Sequence, residues 1–348
     1  MLLLEAIKVL TITIVVFVVA LSATPFVINL LRRIKAGKQI RADGSTPIFS
    51  ALHKAKEGTP TMGGIVIWGS VLLVAFAIWF MHFIDPRFFS FLNFIDRGET
   101  YLPLAALVIA AVLGLMDDIL GVLKIGPFGG GMKIKHKLVV YTFISLIGAW
   151  WFYFKLGFTT IHVPFFGNFE IGLWYVPIFM FIIIASAFAA NETDGLDGLF
   201  GGVSLFSFGA LTVIAFALGY THLATLGGAI IGGILAFLWF NIHPAKFFMG
   251  DTGSMALGIT MGVMAMLTNT VLLLPFFAII PVIESLSVIF QKISKKVFKR
   301  KIFLSTPIHH HFEAIGWPES QVTMRFWIIS FISTGIGLII FFLDKFNL

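Results

Sequence analysis

Cysteine is absent from the 348 residues, which excludes disulfides and thiolate metal sites alike. Charge is scarce too: Asp, Glu, Lys and Arg make up 12% of the chain, about half the share of a typical soluble domain. No internal repeat, low-complexity tract or domain linker interrupts it. What fills the chain instead is apolar: 58% of residues are hydrophobic, and 40 of them are phenylalanine. A water-soluble protein of this length cannot bury that much apolar surface, but a bilayer can solvate it.

Spanning the hydrocarbon core takes roughly 20 apolar residues per helix. Ten apolar segments can be drawn, at 5–31, 62–84, 101–116, 138–156, 174–190, 199–218, 223–240, 253–273, 275–297 and 326–344. They use most of the chain, so the expectation is an all-α integral membrane protein of about ten transmembrane helices, one polytopic catalytic domain over residues 1–348. The first run, Ile7 to Leu31, exceeds the core of a signal peptide and carries no small-residue cleavage pattern, so it reads as a retained span. The ninth segment holds Pro275, Pro281 and the intramembrane acid Glu284, which predicts a kinked or broken helix. Between the fourth and fifth, Phe158 to Leu173 is rich in β-branched and aromatic residues around Gly167-Asn168, which predicts a short outer β-hairpin.

A net charge of +7 can signal nucleic acid, but here the cations sort by side. With the N-terminus outside, the loops 32–61, 117–137, 191–198, 241–252 and 298–325, together with the lysines ending the ninth segment, hold 19 of the 24 Lys and Arg. That bias marks the cytoplasmic side, places both termini outside, and leaves no role for nucleic acid.

Acids are costly in such a chain, so their positions inform. Five of nine Asp residues fall at cytoplasmic ends of spans: Asp117, Asp118, Asp194, Asp197 and Asp251. Asp194 and Asp251 could be helix N-caps. Asp117 and Asp118 are adjacent like charges that need compensation, from Lys124, Lys133, Lys135 and Lys137 or from a hard cation such as Mg²⁺, which takes oxygen ligands. On a helix these two point about 100° apart and cannot grip one ion alike. Asp194 and Asp197 share a face if a helix has begun there. Glycine flanks the acids in Gly58–Gly64, which includes Thr61, and in Asp194–Gly198 and Gly250–Gly253. One such loop is a tight turn; three on one face suggest a phosphate and metal site. Asn241, Lys246 and Phe248 lie beside Asp251, with Phe248 either packing or stacking on a flat base. Three histidines, His309, His310 and His311, follow Pro307 in a basic loop. Consecutive residues rarely supply several ligands to one zinc ion, so recognition of an anionic substrate is the better reading.

At these residues the chain resembles the polyprenyl-phosphate N-acetylhexosamine-1-phosphate transferases, in particular their muramoyl-pentapeptide branch. The matching stretches are GTPTMGG at 58–64, DD at 117–118, NETDGLDGL at 191–199, Asn241–Ser254 ending FFMGDTGS, PIHHHFE at 307–313 and GWPES at 316–320. DD and DGLDG are common to the superfamily, whereas GTPTMGG and PIHHHFE belong to the branch. Glu192 stands where the family usually has Leu, and Gly121 where a lysine is common, which leaves Lys124 to take that role. The resemblance implies transfer of phospho-N-acetylmuramoyl-pentapeptide from its UDP-linked precursor to undecaprenyl phosphate at the inner face of the bacterial cytoplasmic membrane. It makes Asp251 the Mg²⁺ ligand, Asp117 the base or orienter of the lipid phosphate, and Asp118 its support. Lys56, Thr61, Asn191, Asp194, Gly195, Leu196, Asp197, Asn241 and Phe248 match substrate positions, most of them around the nucleotide. Lys137 meets phosphate, and His309–His311 face the sugar-peptide end. A homodimer is one assembly open to such a chain.

Two alternatives stand beside this reading. A sibling transferase would use UDP-N-acetylglucosamine. A transporter or flippase would suit Glu284 and a broken helix, though it would concentrate polar residues at the midplane rather than at one rim.

The orientation is testable because the native chain offers no competing thiol. Cysteine at Ser45 is expected to react with an impermeant reagent only from the cytoplasmic side. Labelling confined to the outside would overturn the topology.

Overall fold

A computed structural model describes residues 2–37, 56–96, 98–126 and 130–346. Ser45 and most of the 32–61 loop therefore lie outside the described residues, as does Arg97. The chain runs through α1 (Leu2–Arg33), α2 (Gly64–Met81), the short α3 (Pro86–Leu92), α4 (Tyr101–Val122) and α5 (Ile134–Trp150), which ends in a π turn at Trp151–Lys155. After the strands β1 (Thr160–Val163) and β2 (Gly167–Glu170) come α6 (Tyr175–Thr193), α7 (Leu199–Ala217), α8 (Thr221–Asn241) and α9 (Asp251–Leu267). The chain closes with α10 (Leu274–Phe277), α11 (Ile279–Val297), α12 (Ile308–Ala314) and α13 (Glu319–Lys345).

Eight described helices are long and apolar enough to cross a membrane, and the bent pair α10–α11 makes a ninth. The shorter α9 is the remaining apolar helix, so the segments read from the sequence are all present. The ninth is broken as expected, by an 88° bend between Phe277 and Ile279. Its prolines lie in the first turns of the two halves, where the missing N–H leaves no helical bond unmade. The break itself falls between them, at Ala278.

The hairpin is present but its turn is not at Gly167-Asn168. Those residues belong to β2, which pairs antiparallel with β1 in the register Val163 opposite Gly167. The turn is Pro164–Phe166, where proline presets the backbone and Phe165 takes a left-handed φ of 67°.

Helices α7, α8 and α9 form the buried centre; every residue of α9 from Thr252 to Leu267 is enclosed. Lipid tails are as apolar as leucine, so burial does not press helices together in a membrane; close packing of small residues does. Gly228 and Gly232 on α8 supply it. A β-carbon at Gly232 would overlap the Thr13 carbonyl and approach the Phe17 amide of α1, and one at Gly228 would meet Thr13 and Val9. Around this centre, Phe76, Trp79 and Phe80 on α2 and Phe143, Leu146 and Ile147 on α5 point outward, as lipid solvation allows.

Gly232→Leu is expected to destabilise the purified protein by about 1–3 kcal/mol through overpacking. Gly209→Ala on α7, where nothing lies within 4 Å of an added β-carbon, serves as the control. Equal thermal unfolding midpoints for the two variants would show that the α1–α8 contact is not tight.

Candidate active site

The start of α9 is the frame of the site. Its N-cap is Gly250, with φ 73°, and no side chain of its own segment satisfies the free amides. Asp118 does so from α4, its two carboxylate oxygens accepting the N–H groups of Asp251 at 3.1 Å and Thr252 at 3.0 Å. Glycine is required at 250, since a side chain there would press on the Asp118 carboxylate and the Thr61 hydroxyl. Gly114, one turn before Asp118, lets α4 approach the Asp251 backbone. The helix carrying the acid pair runs on to Val122, so Asp117 and Asp118 lie inside its last turns rather than at its end.

Asp251 is therefore the first residue of α9 and not its cap. Its carboxylate is free for other partners: Oδ1 accepts from Asn191 Nδ2 at 2.6 Å, and Oδ2 from the Lys137 ammonium. The same ammonium lies 2.8 Å from Asp117 Oδ2, while Asp117 Oδ1 accepts the Met132 amide. Four elements, α4, α5, α6 and α9, thus bring Asp117, Lys137, Asn191 and Asp251 together at one end of the bundle. Asp117 and Asp118 point apart, as neighbours on a helix must. The oxygens gathered here belong to carboxylates, the ligands a hard divalent cation takes, and the Lys137 ammonium lies between them.

A second ammonium is clamped in the same way. Lys56 Nζ lies 2.6 Å from Asp197 Oδ1 and 2.5 Å from Glu319 Oε1. Asp197 also accepts from His243 Nδ1 at 2.9 Å and from the Ala245 amide at 3.1 Å, and its own amide donates to Glu319 at 2.6 Å. Asp197, His243 and Glu319 lie close enough to one another to hold a cation by spacing alone; Lys56 is a cation already held against both carboxylates. Burial pushes the Asp197 carboxyl up, but Lys56, with the Ala245 and His243 hydrogen bonds, outweighs it and holds the group below the ordinary carboxylate range. Stability drawn from this grip is present above the ordinary value and lost as pH falls through the folded-state one. The turn is also fixed from α13, whose Glu319, Thr323 and Trp327, spaced four apart on one face, all bond to Asp197 or Gly198.

Phe248 joins the two clusters. It lies three residues before Asp251, with its ring 5.8 Å from Lys56 Nζ. A short backbone ladder holds it: Phe248 N donates to Pro60 O, Gly63 N to Phe248 O and Gly64 N to Met249 O, at 2.7–2.8 Å. Beyond it Gly64 and Gly253 meet backbone to backbone, leaving no room for a side chain on either. Thr61 is buried beside this ladder. Asn241 is a brace, accepting from the Gly198 amide at 2.9 Å and donating to the Phe247 carbonyl at 2.8 Å.

The turn 194–198 is not helical, so Asp194 and Asp197 do not share a helix face. Asp194 ends α6 rather than starting a helix. An acid is disfavoured at that end of the helix dipole, so helix stability does not account for it. Leu196 is buried, and Gly195 lies against His309, whose ring any side chain at 195 would strike.

Pro307 caps α12, so the histidines lie on a helix start. His309 is fully buried, with Nδ1 3.0 Å from Glu284 Oε1. Burial lowers the His309 imidazole pKa, and Glu284 outweighs that, raising it above the ordinary range. His310 pairs with Glu313 at 2.7 Å, and His311 accepts the Leu304 amide at 3.3 Å. Lys124 is exposed beyond the end of α4, with φ 58°, and forms no ion pair with a described residue. Glu319 and His243 were not singled out from the sequence. Both lay inside stretches matched to the family, GWPES for Glu319 and Asn241–Ser254 for His243, and the 319, 323, 327 spacing at the head of the last span marked Glu319 further.

These features fall within a known class: a model of glycosyl transferase family 4 matches residues 100–269, which hold Asp117, Asp118, Lys137, Asn191, Asp197 and Asp251. Phospho-N-acetylmuramoyl-pentapeptide-transferase signature 1 matches residues 56–67, the segment of Lys56, Thr61 and Gly64. The phospho-N-acetylmuramoyl-pentapeptide-transferase of Desulforamulus reducens is 38% identical, over 93% of this chain and 92% of its own length. That of Geobacillus sp. is 37% identical over 97% and 98%, and that of Borreliella burgdorferi 35% over 94% and 93%. The chain belongs to the phospho-N-acetylmuramoyl-pentapeptide-transferase family and is a multi-pass membrane protein.

Removing the cross-helix cap should be visible in stability. Asp118→Ala is expected to cost about 1–2 kcal/mol, with Asp118→Asn, which keeps one acceptor, costing less. Thermal unfolding that ranks all three proteins alike would dismiss the cap.

Proposed function

We propose that this chain transfers phospho-N-acetylmuramoyl-pentapeptide from its UDP-linked precursor to undecaprenyl phosphate, releasing UMP and forming lipid I in peptidoglycan synthesis. The observation that carries the reading is the convergence of Asp117 and Asp251, from helices distant in sequence, on one lysine at a single end of an apolar bundle. Phosphoryl transfer asks a protein chiefly for positioning and charge neutralisation, and a lipid acceptor asks that this happen at a membrane rim. The rim is assigned to the cytoplasmic face of the inner membrane by the bias of the cations, with both termini outside.

In this reading Lys56 and Asp197, with Gly195, Leu196 and Phe248, receive the nucleotide. Phe248 offers its ring to the base, and Asn241 keeps the two loops in register. Lys137 turns its ammonium from the carboxylates to a phosphate oxygen of the substrate. Asp117 orients the lipid phosphate and accepts its proton if one is present. An oxygen of that phosphate attacks the β-phosphorus, and the bond from the β-phosphorus to the bridging oxygen breaks as UMP leaves. Mg²⁺, held by Asp251, would supply charge neutralisation at the diphosphate. Glu284, the feature that best suited a transporter, is fully buried beside His309 rather than lining a path.

Asp251→Asn is expected to abolish UMP release by the purified protein while leaving it folded, because the cap on α9 comes from Asp118. Retention of more than about a tenth of the wild-type rate, a loss under ~1.4 kcal/mol, would remove Asp251 from the chemistry. In the same assay UDP-N-acetylglucosamine should give no product; turnover with it would favour the sibling enzyme.

A further inference from the structure

The second half of the broken span is built inside out. On α11, Glu284, Ser287, Gln291 and Ser294 recur at three- and four-residue spacing and are buried. Leu286, Ile289, Phe290, Ile293 and Val297 occupy the opposite face and are exposed. Gln291 and Ser294 of this face are satisfied by the chain that follows. Gln291 donates to the Phe303 carbonyl at 2.8 Å and accepts the Ile302 and Phe303 amides, and Ser294 donates to the Arg300 carbonyl at 2.9 Å. The segment after the helix is thereby fastened beneath it. Among the described residues the outward apolar face is exposed rather than packed, and lipid tails are the medium that solvates it.

The charges around this segment differ from those of the site. Lys56 and Lys137 are each clamped by two carboxylates. Lys295, Lys296, Lys299, Arg300 and Lys301 are all exposed, and none forms an ion pair with a described residue. Exposed Phe298, Ile302 and Leu304 are interleaved with them. Cations alternating with outward apolar side chains are what an interfacial segment presents to a charged membrane surface. Lys292, one turn earlier, lies near enough to Glu192 of α6 to feel its charge, so the segment sits at the same end of the bundle as Asn191 and Asp251.

We propose that residues 286–304 form a binding surface for the head groups of anionic phospholipids, with the apolar face of α11 in the acyl region and the unpaired cations at the phosphates. Neutral lipid would solvate the apolar face but leave five cations without counter-charge. A soluble polyanion would match the cations but not the apolar side chains among them. This assignment does not depend on the transferase reading, since it concerns the bulk lipid and not the acceptor.

The test uses the whole protein in nanodiscs of equal parts phosphatidylglycerol and phosphatidylcholine, with native mass spectrometry of the lipids it retains. The wild type is expected to enrich phosphatidylglycerol. One basic residue near an anionic surface is worth about a fivefold change in partition, so K295Q/K296Q should cut the enrichment roughly tenfold or more, while K295R/K296R retains it. Unchanged enrichment in the glutamine variant would overturn the proposal and leave these cations as determinants of orientation only. Should that variant not fold, a salt series on the wild type decides: enrichment must fall as salt rises, and salt-independent enrichment overturns it. Displacement of the lipid by inorganic phosphate at matched concentration would also overturn it, since a simple anion site would then suffice.

Discussion

Charge neutralisation at one end of an apolar bundle is the constraint on which the site depends. Carboxylates at a membrane rim repel one another and lose hydration, and this chain offsets both by placing an ammonium between pairs of them. Lys137 stands between Asp117 and Asp251, and Lys56 between Asp197 and Glu319. Each pair draws its acids from helices or turns far apart in the chain, so the ion pairs also fix which elements meet. A fifth acid, Asp118, is offset differently, by the amide dipoles at the start of α9. That division leaves Asp251 aimed inward by a helix whose own start is already satisfied.

Much of this was legible in the residues. The spans followed from apolar run length and the gathering of acids at one rim from the five Asp positions; a break in the ninth was expected from Pro275 and Pro281, and it falls between them, at Ala278. The divergence of Asp117 and Asp118 followed from helix geometry. What was not legible depends on contacts between distant backbones. An N-cap role was one of two readings open for Asp251, and the structure gives that task to Asp118 of another helix, a fact no local pattern encodes. The hairpin turn was drawn toward Gly167-Asn168, and Gly167 does take a positive φ of 86°, but as the first residue of β2; the turn itself is Pro164–Phe166, with Phe165 at φ 67°. Glu319 lay in the matched GWPES stretch, but an acid at a helix start needs no further explanation, so its contact with Lys56 and the 194–198 turn was not legible.

The histidine run illustrates a different limit. Three adjacent imidazoles invite one shared role, yet the helix start at Pro307 gives each its own surroundings: His309 against Glu284, His310 against Glu313, His311 against the Leu304 amide. His309 connects the broken span to Gly195 and so to the turn that carries Asp197. The bent helix is thus tied to the site through a buried polar contact, in addition to the apolar packing of Ile280 in the core.

The contact between Gly64 and Gly253 reaches beyond the geometry of one protein. The two residues are far apart in sequence, but each excludes a side chain on the other. The contact therefore ties the two motifs together, and a substitution at either has no remedy at its partner, which is already the smallest residue. A chimera joined anywhere between them would bring together halves from two parents, and the seam would hold only where both parents contribute glycine.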